Sequence, residues 1–276
     1  MTSTDTSRRA DLVLEGGGVK GLGTAGAVMG LLDAGWTFPR VAGTSVGALA
    51  AALAATGADS AVFADVLGRL DLRRDDPGDD AAMTTPDHRY RLVVMATDVT
   101  NGRLLRLPWD YPTFGLDPDE QLVADAVRMS LSIPFYFDSC TLRNPATGDE
   151  ATIVDGGVLS NFAIEIFDRT DGRPPRWPTF GVRLLPDLPA GLGDLVPFFG
   201  LPMFPAVRLL EKVVATALVG RDQTHLERPG VRDRTMTVDT RGTAITEFGI
   251  GPVERADLVG RGEETAREFL RRRARP

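Results

Sequence analysis

The sequence predicts an α/β fold built on a parallel or mixed sheet, and three observations support that prediction. Short apolar runs alternate with helical ones along the chain, and glycine-rich turns follow several of those runs directly. At 276 residues, 43% of them hydrophobic, the chain can bury one substantial core. The strand-like runs are residues 12–15, 40–43, 91–96, 152–155, 179–185 and 235–239. Residues 22–35, small and apolar, read as a tightly packed helix, and the Ala-rich residues 46–55 read as a second. Thirty glycines and only 7% aromatic residues suit a sheet-and-turn architecture with close backbone packing. No internal repeat or low-complexity linker divides the chain, so the expected organisation is a polar tail over residues 1–10 and a single domain over 11–270. The proline-rich residues 173–178 read as a loop before a strand.

The second strand-like run leads into Gly43-Thr44-Ser45-Val46-Gly47, a G-x-S-x-G step ahead of the Ala-rich helix. A serine at such a strand-to-helix corner sits on a strained backbone that lifts its hydroxyl clear of the sheet. Glycines flank it because a Cβ at either position would clash across the turn. The helix that follows aims its free N–H groups and positive dipole end at charge developing near Ser45. Read alone, the pentapeptide is equally a chance loop of small residues.

A second glycine cluster, Gly16-Gly17-Gly18-Val19-Lys20-Gly21, follows the first strand-like run. Three ligand readings compete for this cradle of bare backbone. It fits G-x-G-x-x-G, but the next strand ends in Gly43-Thr44-Ser45 without the carboxylate that a dinucleotide site requires. A phosphate-binding P-loop needs Gly-Lys-Ser/Thr, whereas Lys20 is followed by Gly21 and Leu22. The third reading is an oxyanion hole, in which the N–H groups of Gly17 and Gly18 face a tetrahedral intermediate formed at Ser45.

A serine nucleophile needs a base within hydrogen-bond reach. The chain has two histidines, His88 in a polar stretch and His225 late in the sequence. The order Ser45, Asp155, His225 fits that of a hydrolase triad, but nothing around His225 resembles a tight presenting loop. Asp155 is the stronger candidate. It ends the β-branched run Thr152-Ile153-Val154 and enters a turn made by Gly156-Gly157, which puts its carboxylate at the rim of the sheet. Burial and pairing with a hydroxyl would raise the basicity of an ordinary aspartate. The plainer reading is an Asp-Gly turn that bonds its own backbone.

Taken in order, Gly16 to Gly21, Gly43 to Gly47 and Asp155-Gly156-Gly157 resemble the patatin-like phospholipase family. So do the stretches from Ala126 to Phe137 and from Asp155 to Phe162. The resemblance runs from about Asp11 to Asp168. It implies a three-layer α/β/α sandwich with a mostly parallel central sheet and a Ser–Asp dyad without histidine. Ser45 would be the nucleophile, Asp155 the general base, and Gly16, Gly17 and Gly18 the oxyanion hole. Gly43, Gly47, Lys20, Gly21, Gly156 and Gly157 would be the supporting motif positions. The implied activity is cleavage of lipid acyl esters with no metal and no cofactor. Alternatives on the same residues are a short-chain carboxylesterase, an acyltransferase, or a non-catalytic lipid- or anion-binding protein. One departure stands out. Only residues 59–89 separate the elbow helix from the next core strand, where many bacterial members carry a long helical cap, so either the cap is shortened and the site open, or the sequence lacks a segment.

Net charge and cysteine count narrow the partners. A formal charge of −7 argues against nucleic acid and against strong docking to anionic membranes. The single cysteine, Cys140, excludes an intrachain disulfide and suits a reducing compartment. With no signal-like or transmembrane-length run, the expected location is cytoplasmic. The basic end Arg271-Arg272-Arg273-Ala274-Arg275 reads as a frayed helix terminus. The proline-broken apolar residues 195–207 read either as an acyl-chain or transient membrane-surface contact, or as a buried connection beneath the next helix.

Overall fold

The computed structural model describes residues 8–56, 90–185, 229–243 and 250–274. Its eight strands are β1 (Asp11–Leu14), β2 (Val41–Thr44), β3 (Leu92–Asp98), β4 (Arg103–Leu107), β5 (Cys140–Arg143), β6 (Glu150–Asp155), β7 (Thr179–Leu184) and β8 (Thr235–Val238). The described helices are α1 (Gly21–Asp33), α2 (Val46–Thr56), α3 (Val123–Leu131), the one-turn α4 (Pro229–Arg232) and α5 (Pro252–Arg273). All six strand-like runs of the sequence are strands. Two edge elements, β4 and β5, carry weaker signals: β4 follows β3 by a tight turn, and β5 is four residues long and largely exposed.

The sheet runs β5-β6-β3-β2-β1-β7-β8, with β4 on the other edge of β3. Neighbours from β3 through β2, β1 and β7 to β8 are parallel, while β4, β5 and β6 join antiparallel. The central strands β1, β2 and β3 are buried at every position, as expected for parallel strands covered on both faces. Alternation along the strands divides the core in two. Leu12, Leu14, Val41, Leu92 and Val94 pack with Ala27 and Leu31 of α1, the alanines of α2, Val127 of α3 and Phe269 of α5. Val13, Ala42, Val93 and Met95 face the other way, onto Phe162, Ile164, Phe167 and Val231 of α4. The result is a mostly parallel central sheet flanked by helices.

Small residues let α1 and α5 touch backbone to backbone. A Cβ on Gly26 would lie 2.1 Å from the Val259 carbonyl, and one on Gly262 would lie 2.1 Å from that of Gly23. One sequence expectation is corrected at the start of the chain. The polar tail does not extend to residue 10: Arg9 bridges Thr37 and Ala10 is fully buried. At the other end, α5 continues to Arg273, whose guanidinium stacks 5.0 Å from the Phe180 ring. At the N-terminal ends of the parallel strands, buried Arg40 donates to buried Asp11. The opposite, C-terminal ends carry the glycine turns, and in open α/β sheets that is the end where ligands bind.

Candidate active site

Ser45 alone makes the corner between β2 and α2. Its φ of 53° lies in the left-handed region, an uncommon place for a residue with a side chain. The flanking glycines are required by contact. A Cβ on Gly43 would sit 2.2 Å from the Gly47 carbonyl oxygen, and one on Gly47 would sit 2.5 Å from those of Leu14 and Glu15. The corner therefore folds onto itself and rests on the end of β1. Both Gly47 clashes are with backbone that cannot turn aside, so Gly47→Ala is expected to destabilise the fold by about 1–3 kcal/mol or more. A thermal melt checks this, and an unchanged midpoint would contradict such close packing.

The glycine loop lies against this corner. A Cβ on Gly16 would be 3.0 Å from the Ser45 Cβ, and one on Gly21 would be 2.1 Å from Val46 Cγ1. Thus α1 begins on the shoulder of α2. A 3-10 turn over Gly18–Lys20, with Gly18 at φ 54° and Lys20 buried, precedes α1. One expectation is corrected here: Gly16 does not offer its amide, which donates to the Asn161 carbonyl at 3.2 Å. Asn161 Nδ2 in turn donates to the Gly16 carbonyl at 3.1 Å. Among the described residues, the Gly17 and Gly18 amides have no hydrogen-bond partner.

Asp155 reaches Ser45 through the sheet. β2 runs parallel to β3 and ends with Thr44 opposite Met95. β6 runs antiparallel to β3 and ends with Asp155 opposite Ala96. Because β4 occupies the other edge of β3, β2 and β6 share one edge and meet head-on. The residue that ends one strand and the residue that follows the other are thereby brought to the same point. Gly156 fits there because a Cβ on it would be 2.4 Å from the Met95 carbonyl oxygen.

The Asp155 carboxylate is 1% exposed. Oδ1 accepts the Gly157 amide at 2.8 Å, so the plain Asp-Gly turn is also present. Among the described residues, Oδ2 has no hydrogen-bond partner. The Ser45 hydroxyl is near enough to pull the Asp155 pKa down, and catalytic contacts often tighten further when substrate binds. Burial pushes the Asp155 pKa up to about 7, against a smaller downward pull from the Ser45 hydroxyl and the Gly157 amide.

Residues that the sequence reading left without a role hold this arrangement. Ser130, at the end of α3, is fully buried and accepts the Ser45 amide at 2.8 Å. The Ser132 carbonyl accepts the Asp155 amide at 2.9 Å. Thr44 donates to the Ser160 carbonyl at 3.4 Å. Ser130, in α3, and Ser132, just past its end, fall within the Ala126–Phe137 stretch of the resemblance, and that was the only signal pointing to them. His88, His225, residues 59–89 and residues 195–207 lie outside the described residues. Among the described residues, no group of three His, Cys, Asp or Glu side chains could hold a metal ion, and no helix is long and apolar enough to cross a membrane.

Comparison with known proteins follows this geometry. The model of the patatin-like phospholipase family matches residues 12–92 and 79–168, more than half of the chain. The chain belongs to the patatin-like phospholipase family. The glycine loop after Gly16, Ser45 and Asp155 all lie within the matched residues of this patatin-like chain. Uncharacterized protein YqhO of Bacillus subtilis (strain 168) is 38% identical over 216 residues, covering 64% of this chain and 71% of that one. An uncharacterized NTE family protein of Mycobacterium tuberculosis (strain CDC 1551 / Oshkosh) is 33% identical over 208 residues. That match covers 67% of this chain and 34% of the mycobacterial protein, so the patatin-like chain spans about a third of its relative's length. Among solved structures, VipD from Legionella pneumophila superposes with a TM-score of 0.54 at 16% identity, over 96% of this chain and 67% of VipD. That likeness is one of fold.

Proposed function

We propose that this patatin-like protein is a serine acyl hydrolase that cleaves carboxylic esters of lipids, with Ser45 as nucleophile and Asp155 as its base. The observation that carries the reading is the meeting of β2 and β6 on one edge of β3, which brings a serine at φ 53° near a buried carboxylate, one oxygen of which has no hydrogen-bond partner among the described residues. Asp155 takes the proton of Ser45 as its oxygen attacks the ester carbonyl. The Gly17 and Gly18 amides receive the oxyanion, donors of a kind worth about 3 kcal/mol of barrier each. The alcohol leaves with the proton from Asp155. Water, deprotonated by the same carboxylate, then releases the acid from Ser45. A base near pKa 7 is matched to this work at neutral pH. Family membership supports a lipid ester as substrate, and so do the rings of Phe135 and Phe137, 40% and 52% exposed just beyond Ser132.

The test is release of fatty acid from phospholipid and lysophospholipid dispersions, measured beside hydrolysis of a soluble short-chain ester. Turnover of the long-chain lipids supports the proposal. Hydrolysis confined to short chains would replace it with a carboxylesterase, and faster transfer to an added alcohol than to water would replace it with an acyltransferase. Lipid binding without covalent labelling of Ser45 would make the protein a binding module.

A further inference from the structure

We propose that Ser130 is a positioning residue, the peg that fixes the Ser45 corner relative to β3 and so sets the distance from Ser45 to Asp155. This rests on the reading of Ser45 and Asp155 as a dyad. The need for a peg follows from the sheet. Pairing with β3 brings the ends of β2 and β6 together, but the last β2 pair is Thr44 with Met95 and no ladder joins β2 to β6, so strand pairing leaves the step out to Ser45 unspecified. A third element has to span it.

That element is the C-terminal end of α3. The Ser130 hydroxyl donates to the Met95 carbonyl at 2.6 Å and accepts the Ser45 amide at 2.8 Å, which ties the corner to the β3 residue where β2 ends. Met95 is also where Gly156 packs, so corner and aspartate turn are referenced to one carbonyl. Two residues further on, the Ser132 carbonyl holds the Asp155 amide at 2.9 Å, and the Ser132 hydroxyl donates back to the Arg128 carbonyl at 2.9 Å. One rigid helix end thus grips both partners. A hydroxyl suits the Ser130 position because it must donate and accept at once in a fully buried place. The amide it holds belongs to a residue at φ 53°, a conformation that persists only when its surroundings over-determine it.

Ser130→Ala removes the peg, and Ser130→Thr keeps the hydroxyl. Both are compared with wild type for kcat and KM on a soluble ester per titratable active site, for melting temperature, and for the pH dependence of fluorophosphonate inactivation. The expected result for Ser130→Ala is a kcat lower by about 10- to 100-fold, the scale of an ångström-sized misplacement, with KM little changed. Its acid limb should also move to higher pH, because a retreating Ser45 hydroxyl withdraws a contact that lowers Asp155. The ionisable groups on the elements around Asp155 are Asp98 on β3, Asp125 and Arg128 on α3, Cys140 and Arg143 on β5 and Glu150 on β6, and none of them contributes to its shift.

Ser130→Thr should recover most of kcat per titrated site and the wild-type limb. If the alanine variant does not fold, the threonine variant carries the test, and a limb displaced despite its hydroxyl would overturn the proposal. An alanine variant with unchanged kcat and limb overturns it too, as does a loss that only follows the fraction folded. A wild type that neither labels nor turns over would instead sink the dyad reading beneath it.

Discussion

Ser45→Ala is expected to lower ester turnover by about ten-thousand-fold or more, because it removes the hydroxyl that forms the acyl intermediate. The fold should survive. Alanine has the same backbone preferences at φ 53°, and the amide of residue 45 still meets Ser130. Steady-state rates and a thermal melt on the same preparation separate the two effects. A variant that keeps a tenth of the activity would place the nucleophile elsewhere.

Asp155→Asn is expected to move activity and stability in opposite directions. Loss of a general base costs about 100- to 10,000-fold. Wild-type activity itself should fall as the pH drops through about 7, where the buried carboxyl takes up a proton and can no longer act as a base. The stability argument has the reverse sign. The folded pKa lies above the value of about 4 in the unfolded chain, so the folded state binds this proton more tightly. Stability from the neutral acid is fully present below about pH 4, is lost as the pH rises, and is gone above about 7. Asparagine carries no charge to bury. At pH 8 Asp155→Asn should therefore be more stable than wild type, on the order of 1–3 kcal/mol, with the gap closing at pH 5. A flat wild-type rate profile from pH 5 to 9, or a variant that melts lower than wild type at pH 8, would contradict a buried, elevated base.

The serine corner was legible in the sequence because its chemistry is local. Gly43 and Gly47 are demanded by atoms within a few residues of Ser45 or at the end of the adjacent β1, and only glycine satisfies them. Asp155 was legible as the end of a strand, through the β-branched run before it and the glycines after it. What the sequence could not carry was the reason these two residues meet. The antiparallel entry of β6 onto the same edge of β3 is a non-local pairing that leaves no periodic signal. For the same reason Ser130 passed unremarked: a serine near a helix end has many ordinary uses, and only the fold brings Met95 and Ser45 to it. Gly16 was misjudged on similar grounds. Its glycine was read as an open amide, whereas the fold uses the missing side chain to admit Asn161 and Ser45.

The most direct test of the dyad is fluorophosphonate labelling with the adduct mapped by mass spectrometry, in wild type, Asp155→Asn and His225→Ala. The expected result is a single adduct on Ser45 in wild type, labelling slowed severely in Asp155→Asn, and labelling undiminished in His225→Ala. Loss of labelling in His225→Ala, or an adduct on any other residue, would contradict a Ser45–Asp155 dyad.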